Sequence, residues 1–295
     1  MTDNPDLVLP GVRAALFVAD LHCEMWYFGT GLFPFELLRP GDLAEVEAIV
    51  IAGDLSNDAP RNWDLFLRMI RKQLPDVRIL VLPGNHDYYR AFIDREDEMA
   101  RVAQDGDATM VQKAEVVLGR TRILLCTLWT DYAVLRNPET AKAAAREGMN
   151  DFHMIRTGSD PRRHLEPEDT LAIHRDHVAW LEARLAAPFD GETIVVTHHA
   201  PVPEALLQPI DSLGPSFGSD LTDMIETHQP FAWFFGHTHR PYQGRIGRTE
   251  ILNVGLGYPR EAPGPQGRVR MLTGLVRFTP EGLPILGTPD GEDTR

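Results

Sequence analysis

Six short apolar runs punctuate the chain, at residues 14–19, 48–52, 78–82, 122–128, 193–197 and 231–235. Each closes on a polar or glycine-containing turn. The runs are rich in Val, Ile, Leu or Phe and have the length of a buried strand. Amphipathic stretches lie between several of them. Residues 61–74 set Trp63, Phe66, Leu67 and Ile70 at helical spacing, with Arg68, Arg71 and Lys72 elsewhere on the wheel. Residues 170–187 do the same with Leu171, Val178, Leu181 and Leu185. Strands apolar on both faces, alternating with helices, predict an α/β fold in which helices cover the sheets.

Residues 249–287 carry a different pattern. Strand-like runs at 251–254 and 268–278 flank the turn-rich stretch 257–267, which predicts antiparallel strands that finish a second sheet. Residues 131–169 are polar and partly alanine-rich, with Met149, Asn150, Asp151 and Phe152 at their centre. A surface helix and loop is the default for such a segment. The functional alternative is a lid over a site. No internal repeat or low-complexity linker divides the chain. Residues 1–295 therefore read as one domain carrying that insertion.

Composition narrows the class. With 43% hydrophobic and 24% charged residues, the chain can bury a sizeable core and does not read as disordered. The formal net charge of −14 repels nucleic acid and anionic membrane at long range. It does not exclude an anionic substrate, because bound divalent cations make a site locally positive. Two cysteines, Cys23 and Cys126, are too few for a disulfide framework and fit a reducing compartment. The first ten residues include Asp3, Pro5, Asp6 and Pro10, unlike the basic, apolar start of a signal peptide. No apolar run approaches the roughly 18 residues of a membrane span. A cytoplasmic protein is expected, and the sequence carries no signal for oligomeric state.

The chemically capable residues follow the apolar runs directly, where open α/β sheets bind their ligands. Asp20 and His22 follow the first run. Residues two apart in an extended chain point to one side, so this pair can hold one ion together. Gly53-Asp54 follows the second run, and a carboxylate can bridge two ions. Gly84-Asn85-His86-Asp87 follows the third, His198-His199 the fifth, and His237 and His239 the sixth. Singly these are weak signals, since Asn-His-Asp can be no more than a capped turn. Five such groups in order, all at strand ends, are not explained by coincidence. Cys23 in an extended chain points away from the Asp20 and His22 side. His174 and His177 lie three apart on a predicted helix with no third partner, and a solvated helix face is expected for them.

This constellation resembles the calcineurin-like metallophosphoesterases, and within them the bacterial cyclic-nucleotide phosphodiesterase type. The family pattern D-x-H, G-D, G-N-H-[DE], H, G-H-x-H stands here as Asp20-Leu21-His22, Gly53-Asp54, Gly84-Asn85-His86-Asp87, His198 and Gly236-His237-Thr238-His239. Asn253 and Gly255 fall where the family often has an Asn-x-Gly turn. The resemblance implies a two-sheet β-sandwich flanked by helices, with two divalent ions between the sheet edges. One ion would take Asp20, His22, Asp54 and His239. The other would take Asp54, Asn85, His198 and His237. Thr197-His198-His199-Ala200-Pro201 offers two adjacent histidines; the family's spacing points to His198, with His199 as a neighbour.

Mixed nitrogen and oxygen donors suit Mn, Fe, Zn or Co better than Ca, without choosing among them. Two ions about 3.5–4 Å apart can clamp a phosphoryl oxygen and turn a bridging water into the nucleophile that attacks phosphorus. The resemblance also implies that His86 binds no metal and acts on the leaving group, with Asp87 orienting its ring. The expected substrate is a small phosphoester, a cyclic nucleotide or similar diester, with a phosphomonoester or phosphoprotein as the alternative. The aromatic stretch after His22, with Met25, Trp26, Tyr27, Phe28, Leu32, Phe33 and Phe35, is either core packing or a wall that stacks a flat group. Trp129 and Tyr132 could extend such a wall.

Overall fold

The structure is a computed structural model that describes residues 7–287 apart from Ser159. The ends of the expected 1–295 domain, and most of the ten-residue start, lie outside the described residues. In chain order the strands are β1 (Leu7–Val8), β2 (Ala14–Val18), β3 (Ala48–Ala52), β4 (Arg78–Leu82), β5 (Thr109–Met110), β6 (Ala114–Leu118), β7 (Thr121–Cys126), β8 (Arg156–Thr157), β9 (Asp160–His164), β10 (Glu192–Thr197), β11 (Ala232–Phe235), β12 (Gln243–Ile246), β13 (Thr249–Asn253), β14 (Gly274–Phe278) and β15 (Pro284–Leu286). The helices are α1 (Cys23–Thr30), α2 (Ala59–Gln73), α3 (Glu96–Asp105), α4 (Pro138–Gly148), α5 (Asp151–Met154), α6 (Pro167–Ala186), α7 (Thr222–His228) and α8 (Pro265–Leu272).

Two sheets face each other. One has the order β1-β6-β7-β10-β11-β13-β12 and the other β15-β14-β2-β3-β4-β5. Alternate strand residues explain the layering. Phe17, Val50, Leu80, Leu125, Val196 and Phe234 point between the sheets into one core. Their neighbours Leu16, Ile49 and Val81 point outward onto Trp63, Phe66 and Ile70 of α2. On the other side Leu124, Val195 and Trp233 meet Leu181 of α6 and Ile225 of α7. Every strand at the centre is thus buried on both faces, which is why it reads as an unbroken apolar run.

The parallel arrangement positions the site. β2, β3 and β4 run parallel, as do β7, β10, β11 and β13. Their carboxyl ends lie at the same edge of each sheet. There the sheets are stitched together: Ala19 N–H donates to Val254 O at 3.0 Å, and Leu256 N–H donates to Ala19 O at 2.9 Å.

Three expectations need correction. Residues 268–278 are not one strand: α8 runs through Leu272, opened by Pro265 at its first turn, and only β14 is extended. The run at 251–254 becomes β13, which joins the sheet of β11. Only β14 and β15 add antiparallel strands to the sheet of β2. His174 and His177 do not face solvent. They are 4% and 2% exposed, because α6 lies against the loop after β7. His177 Nδ1 accepts the Leu128 N–H at 3.1 Å, and His174 Nδ1 donates to Leu128 O at 3.1 Å. A histidine with a backbone partner can fill a core position, and helical periodicity does not reveal that.

The segment 131–169 forms α4, α5 and the β8–β9 ribbon. Among the described residues, no helix is long and apolar enough to cross a membrane.

The inter-sheet core yields a stability test. Phe234 is fully buried with its ring 4.8 Å from that of Phe17, whereas Leu207 is 63% exposed. Phe234→Ala should lower the urea-unfolding free energy by about 3–5 kcal/mol, and Leu207→Ala by less than about 0.5 kcal/mol.

Candidate metal centre

The strand-end loops bring the sequence-selected residues to one point. Asp20 N–H donates to Gly53 O, His22 N–H to Asp54 O and Cys23 N–H to Leu55 O, at 2.9–3.0 Å. The loops after β2 and β3 are therefore laced together. Asp20, His22, Asp54, His237 and His239 all have positive φ, between 37° and 63°. Asp20 and His22 consequently share a site because their loop coils left-handed, not because the chain is extended there. Asp and His tolerate this region better than bulky residues do. Glycine supplies the clearance: a Cβ on Gly53 would run into the His198 ring, and one on Gly84 into the Asp54 carboxylate.

Two donor groups result. Asp20, His22, Asp54 and His239 place one ligand atom each within 4.8 Å of one another, and so do Asp54, His198 and His237. Asp54 belongs to both. Asn85 Oδ1 adjoins the second group, 3.0 Å from His198 Nε2. Of these residues only His239 is more than slightly exposed.

The hydrogen-bond pattern shows which atoms are turned into the site. His198 Nδ1 lies 3.0 Å from Ala52 O, an acceptor only, so Nδ1 carries the hydrogen. Its Nε2 faces Asn85 Oδ1 and, at 3.4 Å, Asp54 Oδ1, and is the nitrogen left to carry either a proton or a metal ion. Asn85 is not free to turn its amide over, because its Nδ2 donates to Asp151 Oδ1 at 2.8 Å and to the Tyr89 hydroxyl at 3.2 Å. In the other group, His239 Nδ1 donates to Glu261 Oε2 at 2.9 Å, which leaves its Nε2 facing His22 Nε2 at 2.9 Å. Asp54 Oδ2 and His237 Nε2 are buried without a hydrogen-bond partner, and His22 Nε2 lies 3.7 Å from Asp54 Oδ2. Carboxylate and amide oxygens converging with ring nitrogens in a dry site need protons or a cation between them. The donor set therefore fits two metal ions.

The titration behaviour agrees. Burial pulls the His198 pKa down, but Asp54 and Asp20 outweigh it and push it up to about 9. Burial likewise lowers His239, and Asp20 and Glu261 reverse the sign. Asp54 is pushed up by burial but held well below the carboxylate range by His198, His86 and His22. Burial drives His22 and His237 well below the usual imidazole range, helped by His86 beside the first and His199 beside the second. The carboxylates thus favour the charged form of His198 and His239, and a metal ion bound there would compete with those protons.

His86 and Asp87 sit in the same loop but do not work as a pair. The Asp87 carboxylate accepts from the N–H groups of Asp54, Gly84 and Ser56 and from Trp63 Nε1, at 2.8–3.2 Å. Burial pushes its pKa up to about 7, and the N–H donors oppose that shift. It braces the loop that carries Asp54. The expectation that Asp87 orients the His86 ring is therefore corrected. The partner of His86 Nδ1 is Asn57 Oδ1, at 2.6 Å. The His86 ring lies 4.3 Å from that of Tyr89, and burial lowers its pKa.

Other expectations resolve as follows. His199 is buried beside the cluster, its ring 4.3 Å from His237 and 5.1 Å from Trp129. Its Nδ1 donates to Thr127 O and its Nε2 is buried without a hydrogen-bond partner, but it is the ring nitrogen of His198 that lies within 4.8 Å of the donor atoms of Asp54 and His237. The thiol of Cys23 is buried in the core cluster behind the site. The stretch after His22 is helical: Trp26, Phe33 and Phe35 are buried, while Met25, Tyr27, Phe28 and Leu32 are exposed. Trp129 and Tyr132 are buried and pack in the core. Rings flanking the donor histidines are instead Tyr258, 4.5 Å from His22 and 4.6 Å from His239, and Phe217, stacked 5.0 Å from His237. Asn57, Asp151, Tyr258 and Glu261 were not picked out as site residues from the sequence. The one signal for Asn57 was its place three residues after Asp54 in the same strand-end turn.

Comparison with known proteins follows the same lines. A family model described as calcineurin-like phosphoesterase matches residues 15–241. Among curated proteins, no sequence matches the chain. The fold is similar to that of the phosphopantetheinyl hydrolase from Mycobacterium tuberculosis, with a TM-score of 0.63, 19% identity, and coverage of 85% of this chain and 92% of that one. It is also similar to a candidate 5′-nucleotidase from Staphylococcus aureus, with a TM-score of 0.50, 9% identity, and coverage of 93% of this chain and 52% of that one. With the family matched over most of its length and a donor cluster fit for metal at its sheet edge, this chain belongs to the calcineurin-like phosphoesterases and is a metal-dependent phosphoesterase.

Proposed function

We propose that the chain hydrolyses a small phosphodiester, a cyclic nucleotide or a similar ester, using two divalent ions that share Asp54. The observation that carries this reading is the buried Asp54 carboxylate, common to both donor groups, with Oδ2 left unpartnered. One ion would rest on Asp20, His22, Asp54 and His239, and the other on Asp54, Asn85, His198 and His237. When bound, such ions supply positive charge for the phosphoryl oxygens and make water a nucleophile near neutral pH. Mn, Fe, Zn and Co all suit these donors.

The chain's own groups do the rest. Glu261 and the Ala52 carbonyl fix the tautomers of His239 and His198, so that each presents Nε2. Asn57 holds the Nδ1 side of His86, which leaves Nε2 to serve the leaving oxygen. Asn57 is neutral, so it orients the ring without adding charge that would favour the imidazolium. The complete five-part motif, with both His237 and His239 present, supports phosphoester hydrolysis, and its resemblance to the cyclic-nucleotide phosphodiesterase type favours a diester. The net charge of −14 argues against long nucleic acid as substrate. The two free, buried cysteines fit a reducing, cytoplasmic setting.

Three outcomes follow. In a panel of bis-p-nitrophenyl phosphate, p-nitrophenyl phosphate and 3′,5′-cyclic nucleotides, diesters should show the higher kcat/KM; a monoester preference contradicts the diester reading. His86→Ala should lower kcat by about 10²–10⁴-fold with both ions retained, and the loss should shrink as the leaving group improves; an equal loss for every leaving group removes the proton-transfer role. Elemental analysis should find fewer ions in His198→Ala than in the parent, and an unchanged number in His199→Ala; the reverse pattern would reassign the ligand.

A further inference from the structure

We infer that Asp151, carried by the segment 131–169, is a positioning residue that sets the affinity of the second ion by fixing the amide of Asn85. An asparagine side chain has two faces of opposite chemistry, and only its oxygen can serve a cation. Rotation by half a turn would put the N–H₂ group into the donor site and repel the ion. Asp151 prevents this. Its Oδ1 accepts from Asn85 Nδ2 at 2.8 Å and from the Tyr89 hydroxyl at 2.8 Å, while the Tyr89 oxygen accepts from Asn85 Nδ2 at 3.2 Å. The three groups close a ring of hydrogen bonds in which the Asn85 amide has one acceptable orientation. A turned amide would set its oxygen against a carboxylate buried to 3% exposure, without solvent to soften the contact.

Asp151 is itself held in place. Phe152, next to it on α5, is buried in the core cluster beneath. Backbone bonds run from Arg90 N–H to Met154 O at 2.8 Å and from Arg156 N–H to Ala91 O at 3.1 Å. They join the segment to the chain that leaves Asn85 and Tyr89. Tyr89 also packs its ring on His86, so the same carboxylate anchors the wall beside that histidine. The segment thereby contributes to the second ion's site without touching an ion.

The inference rests on the two-ion reading, and the test separates the two. Metal-stripped protein is titrated with Mn²⁺ by calorimetry. The parent should bind two ions, and the event missing in His198→Ala marks the second site. Asp151→Ala should weaken that event by about 10–100-fold, the scale of lost outer-shell support, and leave the other within about twofold. Asp151→Asn, of the same shape but without the charge-assisted bond, should fall between the two. Equal weakening of both events, or parent-like second-site affinity in Asp151→Ala, overturns the inference. If Asp151→Ala does not fold by circular dichroism, parent-like affinity in Asp151→Asn overturns it. Fewer than two events in the parent overturns the two-ion reading, and this inference with it.

Discussion

The structure depends on one electrostatic constraint: a carboxylate, Asp54, buried at the junction of two sheets with one oxygen unpartnered. An isolated buried carboxylate is costly, and proteins keep one only where positive charge compensates it. Around Asp54 the surrounding imidazoles answer it: Asp54 and Asp20 together push the His198 pKa up to about 9. The tautomers fixed by Ala52 and Glu261 turn ring nitrogens toward the same space. Asp54 Oδ2 and His237 Nε2 have no hydrogen-bond partner in that space. Metal ions answer all of these demands at once.

Much of the surrounding fold serves to hold those groups while they repel one another. Parallel strands bring the ligand loops to one edge. Left-handed turns at Asp20, His22, Asp54, His237 and His239 aim the side chains inward. Strained backbone of this kind persists only where its surroundings over-determine it. Here the support includes Asp87, which gathers N–H groups from two loops and from the α2 tryptophan Trp63.

The layered core and the cluster of candidate donors were legible in the sequence for a physical reason. A strand buried on both faces must be apolar throughout, and a metal site at its end must be rich in Asp, Asn and His. What stayed hidden is tertiary. His174 and His177 sit on a helix face that looks polar, yet Leu128 of another loop supplies their backbone partners. Asp87 adjoins His86 in sequence, but the loop turns its carboxylate toward the Asp54 backbone, and Asn57 takes the imidazole. Asp151 comes from a segment 66 positions beyond Asn85. The helix at Pro265–Leu272 escaped because buried residues such as Met271 and Leu272 fit a strand pattern as well as a helical one.

The central claim is that Asp54 is shared by two ions. Anomalous diffraction from crystals grown with Mn²⁺ tests it most directly. The account predicts two peaks, one on either side of the Asp54 carboxylate and about 3.5–4 Å apart, the first beside His22 and His239 and the second beside His198 and His237. A single peak, or two peaks of which one does not contact Asp54, would contradict it.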